Sequence, residues 1–144
     1  MMASVVWQQG KVFRARTGSG HQVVTDAVGT GGAPGEGASP MELLLVALGS
    51  CTATDVVGIL EKMRQPFSGV SVKVVGERAE DHPRIFTMID LEYTVRGEGL
   101  EPASVKRAIH LSHERYCSVA ATLRPTASIR YSWRIEEVAA RQVA

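Results

Sequence analysis

The residues with the clearest chemical potential in this sequence are its two cysteines, Cys51 and Cys117. Sixty-five residues separate them, so a reaction between the two thiols requires a fold that brings distant segments together. The chain start shows no basic segment followed by an apolar stretch, and the longest apolar run is far shorter than the ~20 residues that span a bilayer. We therefore expect a soluble, cytoplasmic protein with no membrane partner, whose thiols stay reduced.

Cys51 stands in a segment whose composition disfavours a thiolate. Ala47 and Leu48 precede it on a predicted helix, and an apolar setting raises the pKa of a thiol. Asp55 follows one helical turn later, and its negative charge disfavours a second negative charge on Cys51. Its helix neighbours alone would therefore leave Cys51 unreactive. The alternative to a redox pair is that both cysteines are buried core residues without a chemical role.

Cys117 stands in a more favourable local setting. His113 and Arg115 are close in sequence, and a possible short helix at residues 118–123 would direct its positive N-terminal dipole at the sulfur. The local sequence therefore favours Cys117 as the thiolate. The spacing of His110, His113 and Cys117 also allows a three-ligand zinc site, with a polar helix face as the alternative. No metal-binding motif accompanies these residues, and we expect neither a metal nor a cofactor.

The N-terminal part of the sequence predicts strands followed by a glycine-rich loop. Residues 5–26 form short β-prone pieces interrupted at Gly10 and at residues 18–20, which indicates a meander of three strands. Residues 28–39 are too rich in glycine for regular structure. Their spacing matches neither the dinucleotide-binding GxGxxG pattern nor a P-loop, which argues against nucleotide binding.

The helix that holds Cys51 has a well-defined start. Ser39 is an N-cap residue, Pro40 occupies the first helical position, and Glu42 is placed to close a capping box. The residues at 43–60 are apolar nearly all the way round, which requires more cover than one small sheet provides. We therefore predict that a second copy of the chain covers this helix in a homodimer.

The rest of the sequence predicts two strands, a second helix and a final strand. The strands fall at residues 70–76 and 85–95, and the helix opens at Pro102 with an apolar stripe that extends to Tyr116. The final strand alternates apolar and polar residues over positions 127–136.

The order of these elements indicates an α+β fold in which an antiparallel sheet packs on a long central helix. The length suits a single domain over residues 1–144. The net charge of +1 gives no field that would attract nucleic acid, so we expect none as a partner.

The sequence resembles the OsmC/Ohr family of organic hydroperoxide reductases, at SPMELLLVALGSCTATDVV around Cys51 and HERYCSV around Cys117. Both segments match in order and spacing. The resemblance implies an OsmC-like domain, an intertwined homodimer and a thiol-dependent peroxidase acting on organic hydroperoxides or hydrogen peroxide. It also implies that Cys51 attacks the peroxide to give a sulfenic acid, and that Cys117 then forms a disulfide reduced by an external dithiol. These roles reverse the ranking from local sequence.

Two features of the family pattern are altered in this sequence. The family places an acidic residue ten positions before the first cysteine, where this chain has Met41, while Glu42 already serves the capping box. The family's arginine from the N-terminal strands has candidates in Arg14 and Arg16, or in Lys11, with a solvated strand face as the alternative. These departures keep open a non-catalytic OsmC-like protein that binds a small hydrophobic ligand.

Overall fold

The computed structural model describes residues 1–27 and 35–138, and the chain forms two compact units, Met1–Leu44 and Leu45–Ala144. The first unit is a three-stranded antiparallel sheet, which confirms the predicted meander. Its strands, in sheet order, are β1 (Ala3–Gln9), β2 (Val12–Thr17) and β3 (Gln22–Thr25). Residues 28–34 of the predicted glycine-rich loop lie outside the described residues. The single domain over residues 1–144 stays a prediction.

The helix α1 (Pro40–Lys62) begins with the predicted capping box. The backbone N–H of Glu42 donates to Ser39 Oγ at 3.2 Å, and the N–H of Ser39 donates to the Glu42 carboxylate at 2.7 Å. The second of these hydrogen bonds is the main cause of a lowered pKa for Glu42. The helix ends at Lys62, four residues before Pro66. Glu42 is therefore engaged in starting the helix.

The second unit contains a mixed three-stranded sheet. β4 (Phe67–Arg78) pairs antiparallel with β5 (Phe86–Gly97), while β6 (Ser128–Glu137) pairs parallel with β5. The sheet thus differs from the antiparallel prediction in its last strand. Parallel neighbours need a crossover that returns the chain to the starting edge, and the helical segment between β5 and β6 supplies it.

That crossover consists of two helices separated by a π-helical turn. The helices are α2 (Pro102–Leu111) and α3 (Ser118–Leu123), and the π-turn between them spans Ser112–Tyr116. Val105 and Ile109 of the predicted apolar stripe are buried, but Tyr116 is 51% exposed. The wider π repeat rotates the residues that follow it, so the stripe predicted for a regular helix does not continue to Tyr116.

The core of the second unit lies along β5. Leu91, Tyr93 and Val95 are buried on one face of this strand, whereas Ile85, which was predicted to begin the strand, precedes it and is exposed. α1 approaches β4 closely at Gly49, where an added Cβ would lie 2.9 Å from a methyl group of Val74. Glycine thus permits the predicted packing of the sheet on the long helix.

Candidate functional site

Cys51 and Cys117 meet at the junction of α1 with the crossover segment. Sγ of Cys51, a carboxylate oxygen of Asp55 and Sγ of Cys117 all lie within 4.8 Å of one another. Both thiols are free; Cys51 is half-buried, whereas Cys117 is only 3% exposed. The fold therefore brings together the two sulfur atoms that the sequence singled out, and it adds a carboxylate beside them.

The π-turn determines where Cys117 lies. The N–H of Cys117 donates to the carbonyl of Ser112 at 2.9 Å, and the chain then becomes extended at Cys117, with φ −72° and ψ 103°. Cys117 is the N-cap of α3, because its Sγ accepts a hydrogen bond from the N–H of Ala120 at 3.3 Å. The short helix predicted after Cys117 is thus confirmed, and it holds the sulfur in place.

Asp55 reaches the site from the same face of α1 as Cys51, because residues four apart on a helix are neighbours. Its Oδ2 accepts a hydrogen bond of 2.9 Å from the hydroxyl of Ser112, a fully buried residue of the π-turn. The Ser112 hydroxyl also lies 3.4 Å from the carbonyl oxygen of Thr52. The four-residue spacing predicted that Asp55 lies near Cys51. No local feature of the sequence predicted that Ser112 contacts Asp55.

The electrostatics of Cys117 contradict the ranking that local sequence favoured. Burial raises the pKa of its thiol to about 11, and the hydrogen bond from Ala120 offsets only part of this effect. Burial, followed by the Arg124 charge, lowers the pKa of His113 to about 4, so this side chain supplies no positive charge at neutral pH. Arg115 lies instead over the ring of Tyr116, 5.7 Å from its centroid. Cys117 is therefore not the favoured thiolate.

The zinc site considered for His110, His113 and Cys117 does not form among the residues that the structure describes. Nε2 of His113 shares a hydrogen bond of 2.7 Å with the Tyr93 hydroxyl, and its ring stacks on Tyr131 with centroids 4.3 Å apart. His110 shares a hydrogen bond of 3.2 Å with the Tyr131 hydroxyl. The π-turn breaks the regular spacing on which that metal hypothesis depended.

The basic residues considered as partners of Cys51 belong to the first unit. Arg14 and Arg16 are exposed on one face of β2, and Lys11 lies in the turn between β1 and β2. Their role at the thiols stays a prediction.

Two cavities of the second unit lie along α1. One, of about 380 Å³, reaches the candidate site at Asp55 and extends past Ile59 to Tyr116. The other, of about 440 Å³, is an apolar groove between α1 and β4. It is lined by Leu45, Val46, Gly49, Ser50, Ala53, Val72 and Val74.

Comparison with known proteins identifies the family. The model of the family described as OsmC-like protein matches residues 32–132. This chain belongs to the OsmC-like family. The resemblance found in the sequence is therefore confirmed, together with the α+β fold that it implied.

This OsmC-like chain has close relatives. It is 44% identical to protein YhfA of Escherichia coli K12 over 135 residues, which cover 94% of the chain and 98% of YhfA. The structure of a hypothetical protein from Aquifex aeolicus VF5 matches with a TM-score of 0.84 and 31% identity, covering 95% and 96% of the two chains.

A more distant structure shares the fold of this OsmC-like protein. It is an organic hydroperoxide resistance protein OsmC from Legionella pneumophila, with a TM-score of 0.68 and 16% identity, covering 92% and 94% of the two chains. At that identity the likeness concerns the fold alone.

Proposed function

We propose that this OsmC-like protein is a cytoplasmic, thiol-dependent peroxidase that reduces organic hydroperoxides, or hydrogen peroxide, through Cys51 and Cys117. The observation that carries the proposal is the convergence of the two sulfur atoms within 4.8 Å. A disulfide requires two cysteines whose Cα atoms lie within about 7 Å, and a short approach of the sulfurs completes the bond. The name of the Legionella structure, an organic hydroperoxide resistance protein, adds support.

The difference in accessibility between the two cysteines supports distinct roles for them. Cys51 is half-buried, whereas Cys117 is almost fully buried and has a raised pKa, so Cys51 meets a substrate more readily. The Cys51 thiolate attacks one peroxide oxygen, the O–O bond breaks, and the other oxygen takes up a proton and leaves as an alcohol, or as water when the substrate is hydrogen peroxide. Cys51 is then a sulfenic acid. This assignment agrees with the family resemblance.

The second step consumes the sulfenic acid. The Cys117 sulfur attacks Sγ of Cys51, the sulfenic oxygen leaves as water, and a disulfide forms. An external dithiol then reduces this disulfide by thiol–disulfide exchange, and both thiols are restored. The cavity that Asp55 lines adjoins the site, which supports access by a small peroxide.

The first step requires a positive charge that stabilises the anionic sulfur as it attacks the peroxide. We propose Arg14, Arg16 or Lys11 as its source. An arginine would also offer two parallel donors to the peroxide oxygens, whereas a lysine would offer charge alone.

Single-turnover kinetics with variants of both cysteines test the peroxidase. In stopped-flow mixing of reduced protein with cumene hydroperoxide or hydrogen peroxide, we expect Cys51→Ser to lose turnover completely. Cys117→Ser should form one sulfenic acid per chain and then stall, because no second thiol is present to resolve it. Ser118→Ala, an exposed neighbour of Cys117, is the matched control and should react like the unmodified chain. Peroxide turnover that survives Cys51→Ser would contradict the proposal.

We also propose that the active form is a homodimer. α1 is long and apolar enough to span a membrane, with a mean hydropathy of 2.0, but core helices of soluble proteins share this property. Only 28% of its most apolar 18-residue stretch is buried within one chain. A second copy of the chain supplies cover for this surface, and closed two-fold assemblies are the commonest oligomers.

The apolar groove between α1 and β4 favours a second candidate function, binding of a small hydrophobic ligand without catalysis. Its volume of about 440 Å³ is within the range of ligand pockets. A binding protein of this kind would retain its ligand affinity in both cysteine variants and would consume no peroxide. The stopped-flow experiment therefore separates the two functions.

A further inference from the structure

The cluster of Cys51, Asp55 and Cys117 combines three groups that each become anionic when deprotonated. Among the described residues Asp55 forms no ion pair, and its hydrogen-bond donor is the neutral hydroxyl of Ser112. His113, the histidine of the adjoining π-turn, is neutral and already shares its Nε2 with Tyr93. Among the described residues, the second unit thus gathers two thiols and a carboxylate, and Lys62, which lines the same cavity as Asp55, forms no ion pair with it.

The distances in this cluster suit a bound cation. Zinc binds sulfur at about 2.3 Å and carboxylate oxygen at about 2.0 Å, so tetrahedral ligand atoms lie up to about 3.8 Å apart. The three ligand atoms lie within 4.8 Å of one another, so the widest gap exceeds the tetrahedral value by at most about 1 Å. A small inward movement of the side chains would complete a three-ligand site.

We propose that Cys51, Asp55 and Cys117 form a binding site for a thiophilic divalent cation of the Zn²⁺ type. Two thiolates select zinc over magnesium or calcium, which prefer all-oxygen ligands. Binding displaces the two thiol protons to solvent, and the resulting thiolates and the carboxylate each donate one electron pair to the ion. Water fills the fourth position. This site differs from the metal hypothesis based on sequence, which used His110 and His113, and from the expectation that no metal binds.

The surroundings of the ligands match those of metal sites. Ligating carboxylates are usually held by a further hydrogen bond, and the buried Ser112 hydroxyl donates one to Asp55. The N–H of Ala120 donates to Cys117 Sγ and so fixes the direction of that sulfur. The π-turn that carries Ser112 delivers the first of these contacts to α1, and such turns occur frequently at functional sites.

The cation site does not depend on the peroxidase proposal, although both use the same sulfur atoms. A bound ion occupies the sulfur lone pairs that would attack a peroxide, so the two states exclude each other. Oxidation of the pair to a disulfide would in turn release the ion.

Cobalt provides a spectroscopic probe of the site. The full chain is reduced, freed of metal with a chelator, transferred to chelator-free buffer without peroxide, and titrated with Co²⁺. We expect saturation at about one ion per chain, with a near-ultraviolet band from thiolate-to-cobalt charge transfer that disappears when Zn²⁺ is added.

Variants distinguish this site from adventitious binding. Cys51→Ser and Cys117→Ser should each remove about half of the charge-transfer intensity and weaken binding at least tenfold, and Asp55→Asn should weaken it at least tenfold with the band retained. Ser112→Ala should weaken binding about tenfold through Asp55 alone. Asp81→Asn, which neutralises an exposed acidic residue outside the cluster, should leave affinity unchanged.

The titration of the unmodified chain keeps the proposal falsifiable even where a variant fails to fold. Absence of a charge-transfer band, or saturation well below one ion per chain, would overturn it. Equal affinities for the unmodified chain and a folded Asp55→Asn variant would overturn it as well. Peroxide turnover by metal-free protein is a separate readout, so the failure of either proposal is recognised independently of the other.

Discussion

The two sheets of this protein have three strands each and differ in how much of their surface is buried. In the second unit, β5 carries a continuous buried face that includes Leu91 and Tyr93. In the first unit, Val12 is the only buried apolar residue among those that the structure describes. A three-stranded sheet needs a covered hydrophobic face to be stable, so the first unit needs cover that its own residues do not provide.

The uncovered surface of the first sheet is apolar on one side. Val5 and Trp7 of β1 share that side with Phe13 of β2, since Trp7 pairs with Phe13 across the strands. Val5 and Trp7 are 62% and 63% exposed. A contiguous apolar patch of this kind marks an interaction site, and we infer that the partner is a second copy of the chain. From this contrast we infer that one unit is stabilised within its own core and the other by association with that second copy.

Removal of a core side chain from the second sheet should have the largest effect on stability. Leu91→Ala deletes a fully buried side chain, and we expect the free energy of unfolding to fall by about 2–5 kcal/mol. Urea denaturation followed by circular dichroism measures this change. Val75→Ala is the control on β4 of the same sheet, where the side chain is 46% exposed, and it should cost far less. Equal losses in the two variants would contradict the assigned core.

A charge placed on the apolar side of the first sheet should act on association. Val5→Glu would bury an unpaired carboxylate in the proposed dimer, at a cost of about 3 kcal/mol, which corresponds to a dissociation constant raised more than a hundredfold. Light scattering coupled to size-exclusion chromatography measures the assembly state. Ser4→Glu, one residue earlier and therefore on the opposite side of β1, is the matched control and should remain dimeric. A dimer that tolerates Val5→Glu as well would place the interface elsewhere.

The sequence specified the local structure well. Ser39, Pro40 and Glu42 predicted the start of α1 because capping chemistry is read within a few residues. The strand order β1 to β3 followed from turn residues in the same way. The parallel pairing of β6 with β5 was not predicted, because strand direction depends on the path of the crossover and not on the alternation of residues within the strand.

The site was predicted in part. Residue type and the family resemblance identified Cys51 and Cys117, and the structure brings the two together. The local preference for Cys117 as thiolate was wrong, because burial, which depends on tertiary packing, raises its pKa more than the nearby helix lowers it. The hydrogen bond from Ser112 to Asp55 joins residues 57 positions apart through a π-turn, and no periodic pattern predicts such a turn.

The two units should also differ in their response to acid, with a smaller effect than those above. His113 is buried in the second unit with a pKa lowered to about 4, whereas His21 is exposed in the first. The groups that influence or face the His113 ring are Arg124, Glu114, His110, Tyr93 and Tyr131. Burial has the largest influence, so the folded state keeps His113 neutral under conditions in which the unfolded chain is protonated.

The direction of the pH effect follows from proton uptake. Between about pH 6.5 and 4 the unfolded chain binds a proton at His113 that the folded chain does not, so the free energy of unfolding falls as the pH is lowered through this window. The loss is at most about 3 kcal/mol. In urea titrations at several pH values, His113→Gln should flatten this slope, whatever its effect on stability at neutral pH. If His113→Gln leaves the pH dependence of the unfolding free energy unchanged, acid destabilises the second unit through other groups. The burial of His113 would then have no effect on the response to acid.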